Sequence, residues 1–445
     1  MAEKISNNYF DGIPTHRNQL LALMCVVFAY FFDQLDNNVL GFAAPSIMRS
    51  FGIDMATFAP AQSIYFIGMM AGGILGGLVA DRIGRSKTFM AGCFCFSVFT
   101  FLGGHTHSLV PFVIFRVLTG VCIMGTVVCC VTYMIEITSC EERGKWPGIC
   151  SGVGNFCVPI IGFVAVKVIP LSPEAWRWLF YQGLLGFIPL IMAFFFMKES
   201  PRWLISRGRQ AEAEAAVKAL CGVDVDLSAA MAAESGRTRE TVRQSFAGLL
   251  RDRKYLCRTL ILFVITAGQN IPSFIFLGWN NAFLQASGVP QADALLICSI
   301  GSIAIPLGVI FSGFIGPLGG RRIPLAATML LSGAIAVFYI NAGSDFYTLT
   351  ALYFAFQFVS MCCCMILMPY LSESYPTAFR TTGAGVVLAG GRLSVSASQQ
   401  IAPLIFAAGG FFGIGAFIVA FCAVGGLTAL WLGWPTGRQS LEDVC

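Results

Sequence analysis

The chain has 445 residues, 56% of them hydrophobic and only 11% charged, and its mean hydropathy is +0.75. A soluble domain carries roughly 25% charged residues, so this composition excludes a water-soluble globular protein and describes a polytopic membrane protein. The formal charge of +5 follows from how Lys and Arg are placed about the membrane and gives no support to a nucleic-acid partner.

Cutting the chain at charged or Gly/Pro-rich breaks leaves about twelve apolar segments of spanning length, near 20–43, 57–80, 88–108, 109–133, 146–169, 176–197, 258–284, 294–316, 323–342, 346–371, 382–407 and 411–434. Residues 1–19 hold no apolar core ahead of a cleavage site. No removable signal peptide is therefore expected, and the first segment itself directs insertion. Arg116 and Arg392 fall inside apolar segments, and Arg49, Lys167 and Arg177 flank one set of ends. The other lysines and arginines lie on the opposite side, which places both termini in the cytoplasm of a plasma-membrane protein.

The first segment contains the polar string Asp33-Gln34-Leu35-Asp36-Asn37-Asn38. At a rise of about 1.5 Å per residue, Asp33 lies roughly 20 Å into the bilayer, and Asp36 shares its helical face. Ionisable groups at that depth normally face a cavity or a partner. The second segment carries Gly68, Gly72, Gly76 and Ala80 at four-residue spacing, a face that admits a close helix neighbour.

Displaced by 236, Ala304, Gly308, Ser312 and Gly316 repeat that stripe, and Arg321-Arg322 follow it. Glu136 with Arg143 is matched by Glu373 with Arg380, displaced by 237. Two parallel six-helix repeats are the architecture of a large class of secondary transporters that hold substrate near the midplane. The expected organisation is an N-terminal bundle over 1–197, a cytoplasmic linker over 198–257 and a C-terminal bundle with a short tail over 258–445. The linker, with an amphipathic pattern over 210–220, is expected to lie partly on the bilayer surface.

Nearly all of the 17 cysteines lie within apolar segments, and the three histidines, at 16, 105 and 107, form no Cys/His array with metal-site spacing. Neither metal nor cofactor is expected. No Gly-x-Ser-x-Gly, His-Glu-x-x-His or phosphate-loop pattern occurs, so an enzyme and an ATP-driven pump are both disfavoured.

Gly77–Lys87 (Gly-Leu-Val-Ala-Asp-Arg-Ile-Gly-Arg-Ser-Lys) resembles the loop signature of the major facilitator superfamily. Lys198-Glu199-Ser200-Pro201-Arg202-Trp203-Leu204 and Pro369-Tyr370-x-x-Glu373-x-Tyr375-Pro376 are similar to its branch of sugar porters, organic-ion transporters and metabolite:proton symporters. Asp33-x-x-Asp36 followed by Gly41 and Pro45 resembles the Asp-Gly-(Phe/Tyr)-Asp start of the aromatic-acid symporters. This chain departs from that start, having Gln34-Leu35 between the aspartates, and it has Pro317-Leu318 where the first half has Asp81-Arg82. The second gate is therefore expected to be weaker or built differently.

The resemblance implies an all-α fold of twelve transmembrane helices in two repeats, working by alternating access. Arg116 resembles a helix-four arginine that pairs with a helix-one aspartate, so Asp33, Asp36 and Arg116 are the proton-coupling candidates, with the partner of Arg116 left open between the two. Arg392 is the candidate for a substrate carboxylate, whose geometry its guanidinium fork suits. The cavity wall is expected from Asn37, Asn38, Tyr133, Asn155, Gln269, Asn270, Phe274, Trp279, Asn280, Tyr353, Phe356, Gln357 and Gln399. Asp81, Arg82, Arg85, Glu136, Arg143, Glu199, Glu373 and Arg380 resemble the family's cytoplasmic gate. The expected activity is proton-coupled uptake of a small organic anion by a monomer. Uniport or symport of a neutral solute such as a sugar, and a non-transporting nutrient receptor, stand as alternatives.

Overall fold

A computed structural model describes residues 10, 15–139, 142, 145–235, 252–316, 320–375 and 380–436. Those residues form helices and loops, with no strand among them. The first four passes are single helices: α1 (Arg17–Phe51), α2 (Met55–Ile83), α3 (Arg85–Gly104) and α4 (Leu109–Ile137). Local chemistry sets their ends. Gly52 closes α1 at φ 65°, and Asp54 caps α2 by accepting from Thr57 N at 3.0 Å. The fifth pass is split at Phe156 into α5 (Lys145–Asn155) and α6 (Cys157–Val168). The sixth is split into α7 (Trp176–Tyr181) and α8 (Phe187–Phe196), joined by a 3₁₀ turn.

Three short helices follow, α9 (Pro201–Ser206), α10 (Gln210–Cys221) and α11 (Ser228–Ser235). The second half comprises α12 (Arg253–Ala286), α13 (Gln291–Ser302), α14 (Ala304–Ile315), α15 (Arg322–Ile340), α16 (Phe346–Glu373) and α17 (Arg380–Leu432). At 53 residues α17 would be about 80 Å long if straight. Gly410, at φ 58° and ψ −150°, breaks the helical backbone instead, so α17 is two successive helices that match the expected segments 382–407 and 411–434, each of spanning length.

The small-residue stripes do the packing they suggest. A Cβ at Gly68, Gly72 or Gly76 would stand 2.6, 2.2 or 2.3 Å from the α4 backbone. In the second half a Cβ at Gly308 would lie 2.7 Å from Phe358 O of α16, the corresponding helix pair. Helix backbones this close gain dispersion contacts where lipid supplies no hydrophobic drive.

The two halves meet on the face opposite the termini. There Phe58 of α2 packs edge-on against Trp279 of α12 with centroids 6.3 Å apart, and Gly41 abuts Leu277 O. Arg49 Nη2 donates to Gln291 Oε1 at 2.8 Å, and Asn281 Nδ2 donates to Phe42 O at 2.9 Å.

The linker helices α9 and α10 pack onto the first half. Trp203, Leu204, Ala213, Val217 and Leu220 are buried in the core of the first half, and Asn18 Nδ2 donates to Ala219 O at 2.9 Å. The apolar face of α10 is spent on protein. The rest of the linker, 236–251, lies outside the described residues.

Candidate functional site

The two carboxylates of α1 have unequal surroundings. Asp36 is 1% exposed; its Oδ2 accepts from Arg116 Nη1 at 2.9 Å and its Oδ1 from Thr100 Oγ1 at 3.0 Å. Arg116 is equally buried, with its guanidinium 4.3 Å from the Tyr65 ring centroid and 5.8 Å from that of Phe180. Removing a charged pair from water is costly, and here a second hydrogen bond and two aromatic faces offset part of that cost. Asp33, one turn earlier and also buried, has an Oδ1 without any hydrogen-bond partner. Spacing alone left the partner of Arg116 open, and in the structure it is Asp36.

Beside this pair lies a cavity of about 30 Å³ between the halves, lined by Asn37, Asn38, Gln62, Tyr65, Phe66, Arg116, Phe274 and Gln399 with Leu40, Gly41, Leu277 and Gly278. That is room for one or two waters. Any larger solute would need the halves to part. Gln62 Nε2 donates across the boundary to Gly278 O at 3.1 Å, Ser63 Oγ to Gln400 Oε1 at 2.9 Å, and Ser396 Oγ to Ser63 O at 2.8 Å. Arg392 is half-buried and is not among the residues lining this cavity; its guanidinium lies 5.7 Å from the centroid of Phe274, which does line it, and it makes no ion pair among the described residues.

Of the expected cavity residues, Asn37, Asn38, Phe274 and Gln399 line this space. Others are committed to packing. Tyr133 sits in the first-half core and donates to Lys198 O at 2.8 Å, and Asn155 donates to Ser151 O at 2.8 Å where the fifth pass breaks. Gln269 and Phe356 line a separate void of about 10 Å³ inside the second half, where Gln269 Nε2 donates to Ser273 Oγ at 3.0 Å. Asn280 accepts from Tyr339 Oη, and Gln357 donates to Tyr353 Oη, both at 2.9 Å within the same half. Trp279 belongs to the plug against Phe58, and Asn270 lies beside Gly391 of α17.

The contribution of α2 was not expected. Gln62, Tyr65 and Phe66 form one wall, and the adjacent pair Gln62-Ser63 in an apolar helix was its only sequence signal. Thr100 is a lone hydroxyl that nothing in the sequence distinguishes.

At the end of the bundle that bears the termini, Arg85 Nε donates to Glu136 Oε2 at 3.1 Å and its Nη1 lies 3.0 Å from Asp81 Oδ1. Glu199 Oε1 accepts from the backbone N of Arg85 at 2.7 Å and of Ser86 at 3.2 Å, capping α3 from a distant segment. Gly84, at φ 102°, permits that approach, because a Cβ there would stand 2.2 Å from Glu199 Oε2.

The second half repeats the arrangement with altered chemistry. Arg321 Nε donates to Glu373 Oε2 at 2.8 Å, and the carbonyl of Thr436, 237 residues after Glu199, accepts from Arg321 N at 3.4 Å. A main-chain carbonyl thus stands where the first half has a carboxylate. The 236-residue displacement from Arg85 would have found Arg321. Arg82 is exposed, while Arg143, the Arg380 side chain, Pro317 and Leu318 lie outside the described residues. Each of these ion pairs stays within its own half, and among the described residues none joins the halves at this end.

The Major Facilitator Superfamily model matches residues 26–399. A putative metabolite transport protein of Bacillus subtilis, YyaJ, is 31% identical over 394 residues, spanning 87% of this chain and 86% of its own length. The 4-hydroxybenzoate transporter PcaK of Acinetobacter baylyi is 27% identical over 385 residues, spanning 84% of this chain and 82% of its own. The inward-open conformation of the xylose transporter XylE from E. coli shares the fold at a TM-score of 0.76 and 16% identity, covering 96% of this chain and 99% of that one. With the family model covering most of the chain and full-length relatives that are transport proteins, the chain belongs to the Major Facilitator Superfamily and is a membrane transporter, not an enzyme.

Proposed function

We propose that this transporter takes up a small carboxylic acid, such as an aromatic acid, together with a proton by alternating access in the plasma membrane, with both termini cytoplasmic. The observation that carries the reading is the inequality of the two α1 carboxylates. Asp36 is held by Arg116 and Thr100, whereas Asp33 is buried with an unpartnered oxygen. A buried carboxylate lacking partners is costly and a neutral carboxyl much less so, which makes Asp33 the group that exchanges the proton. Arg392, free of an ion pair among the described residues, supplies the positive charge for the substrate carboxylate beside Phe274. Relatives named as transporters of 4-hydroxybenzoate, gallate and niacin support the substrate class.

In this reading the far face, closed by the Phe58–Trp279 plug and the Arg49–Gln291 hydrogen bond, is extracellular. The cytoplasmic charge pairs, which here stay within each half, form the latch that exchanges partners as the halves rock. The test is a thermal-shift screen of the purified transporter against aromatic carboxylates and neutral sugars. Stabilisation by carboxylates that Arg392→Ala abolishes is expected; stabilisation by sugars alone would overturn the reading.

A further inference from the structure

A second and larger space lies outside the transport pathway. Where α2 ends and α3 begins, a cleft of about 470 Å³ opens between the first half and the linker helices α9 and α10. Its floor is apolar, with Ile83, Trp203, Ala216 and Ala219. Its mouth carries Lys87 and Lys198. Neither ammonium forms an ion pair among the described residues.

The neighbouring charges are already committed. Glu199 is taken by the backbone amides of Arg85 and Ser86, and Glu212 holds Arg209 at 2.5 Å. The three cations of the lining outnumber its two carboxylates by one, and its two lysines are the cations without an ion pair among the described residues. It is also continuous with the lipid belt: Ile83 is 44% exposed, Leu78 and Val79 beside it face outward, and Phe194, Phe195 and Phe196 lead directly into Met197 and Lys198. An apolar slot with an unpaired cationic rim, at the level where helices leave the bilayer, matches a molecule with an anionic head and an apolar body. Basic pockets on the cytoplasmic side of helix bundles attract anionic headgroups in this way.

We infer that this cleft binds an anionic phospholipid, with the phosphate on Lys87 and Lys198 and the glycerol and upper acyl chain along Ile83, Ala216 and Ala219. The inference rests on the cytoplasmic placement of this face, which labelling of the exposed Cys257 from either side of sealed vesicles tests separately.

The experiment uses the full-length protein in detergent, with native mass spectrometry and thermal unfolding against dioleoylphosphatidylglycerol, dioleoylphosphatidylcholine and inorganic phosphate. Phosphatidylglycerol should stay bound and raise the unfolding temperature, and the other two should not. At about 1 kcal/mol per surface lysine, each of Lys87→Gln and Lys198→Gln should weaken binding roughly five-fold and the double variant by about twenty- to thirty-fold. Lys145→Gln, an exposed lysine elsewhere on the same face, should leave it unchanged. Ala216→Phe, which fills the slot but keeps both charges, should also displace the lipid. Equal binding of phosphatidylcholine, or unchanged affinity in the double variant, would overturn the site. Stabilisation by inorganic phosphate alone would make the occupant a soluble anion and overturn the lipid assignment.

Discussion

Asp33→Asn and Asp36→Asn should separate stability from transport. In Asp36→Asn the Arg116 guanidinium, 1% exposed, loses the carboxylate 2.9 Å away and remains charged in the interior. Breaking one side of a buried pair costs about 3–5 kcal/mol, because an uncompensated charge is left behind. At roughly 2–4 °C per kcal/mol for a unit the size of one six-helix half, the unfolding temperature should fall on the order of 10 °C.

Asp33→Asn breaks no ion pair among the described residues and should shift that temperature by no more than about 2 °C. A double variant, Asp36→Leu with Arg116→Met, removes both charges and should recover most of the loss, since replacing a buried pair by apolar groups is often neutral. The assay is thermal unfolding of the purified variants in one detergent. If Asp33→Asn proved the destabilising change and Asp36→Asn the silent one, the assigned roles of the two carboxylates would be reversed.

Other consequences follow from the same geometry. Arg392→Ala should raise the KM for a carboxylate by about ten- to a hundred-fold while leaving folding intact, the loss expected for a charge-assisted hydrogen bond; an unchanged KM would remove Arg392 from the site. Gly72→Val should cost at least about 1–3 kcal/mol, because its Cβ would meet the Val121 carbonyl at 2.2 Å and a helix backbone cannot move aside as a side chain can. Gly84→Ala should destabilise, because φ 102° and ψ 163° lie in a region restricted essentially to glycine and the new methyl, 2.2 Å from the Glu199 carboxylate, would push that side chain off the amides of Arg85 and Ser86. Urea or thermal unfolding of each glycine variant checks both statements.

Most of the architecture was legible in the sequence because membrane burial leaves strong marks. Uninterrupted apolar runs located the passes, the asymmetry of Lys and Arg suggested a sidedness, and the 236-residue displacement of the Gly68–Ala80 stripe gave the repeat. The cavity was harder to read. In an all-apolar environment an amide or a phenol has two fates, lining a polar space or hydrogen-bonding within a bundle, and the sequence does not distinguish them. Tyr133, Asn280, Tyr353 and Gln357 took the second fate, whereas Gln62 and Tyr65 of a helix left out of the expected wall took the first. The α1 carboxylates posed the same problem on a smaller scale. Three residues of spacing put both on one face, and only the placement of Arg116 on α4 and Thr100 on α3, both far away in sequence, separates them. The linker posed a related problem: an amphipathic helix has the same pattern whether its apolar face meets lipid or protein.

The most direct test of the account is substrate uptake by Asp33→Asn in proteoliposomes under an imposed pH gradient, using a radiolabelled aromatic carboxylate. Wild-type protein should concentrate the acid when the outside is more acidic. The variant should still exchange labelled for unlabelled acid across the membrane but show no accumulation driven by the gradient. Undiminished gradient-driven accumulation by Asp33→Asn would contradict the assignment of the proton to this residue.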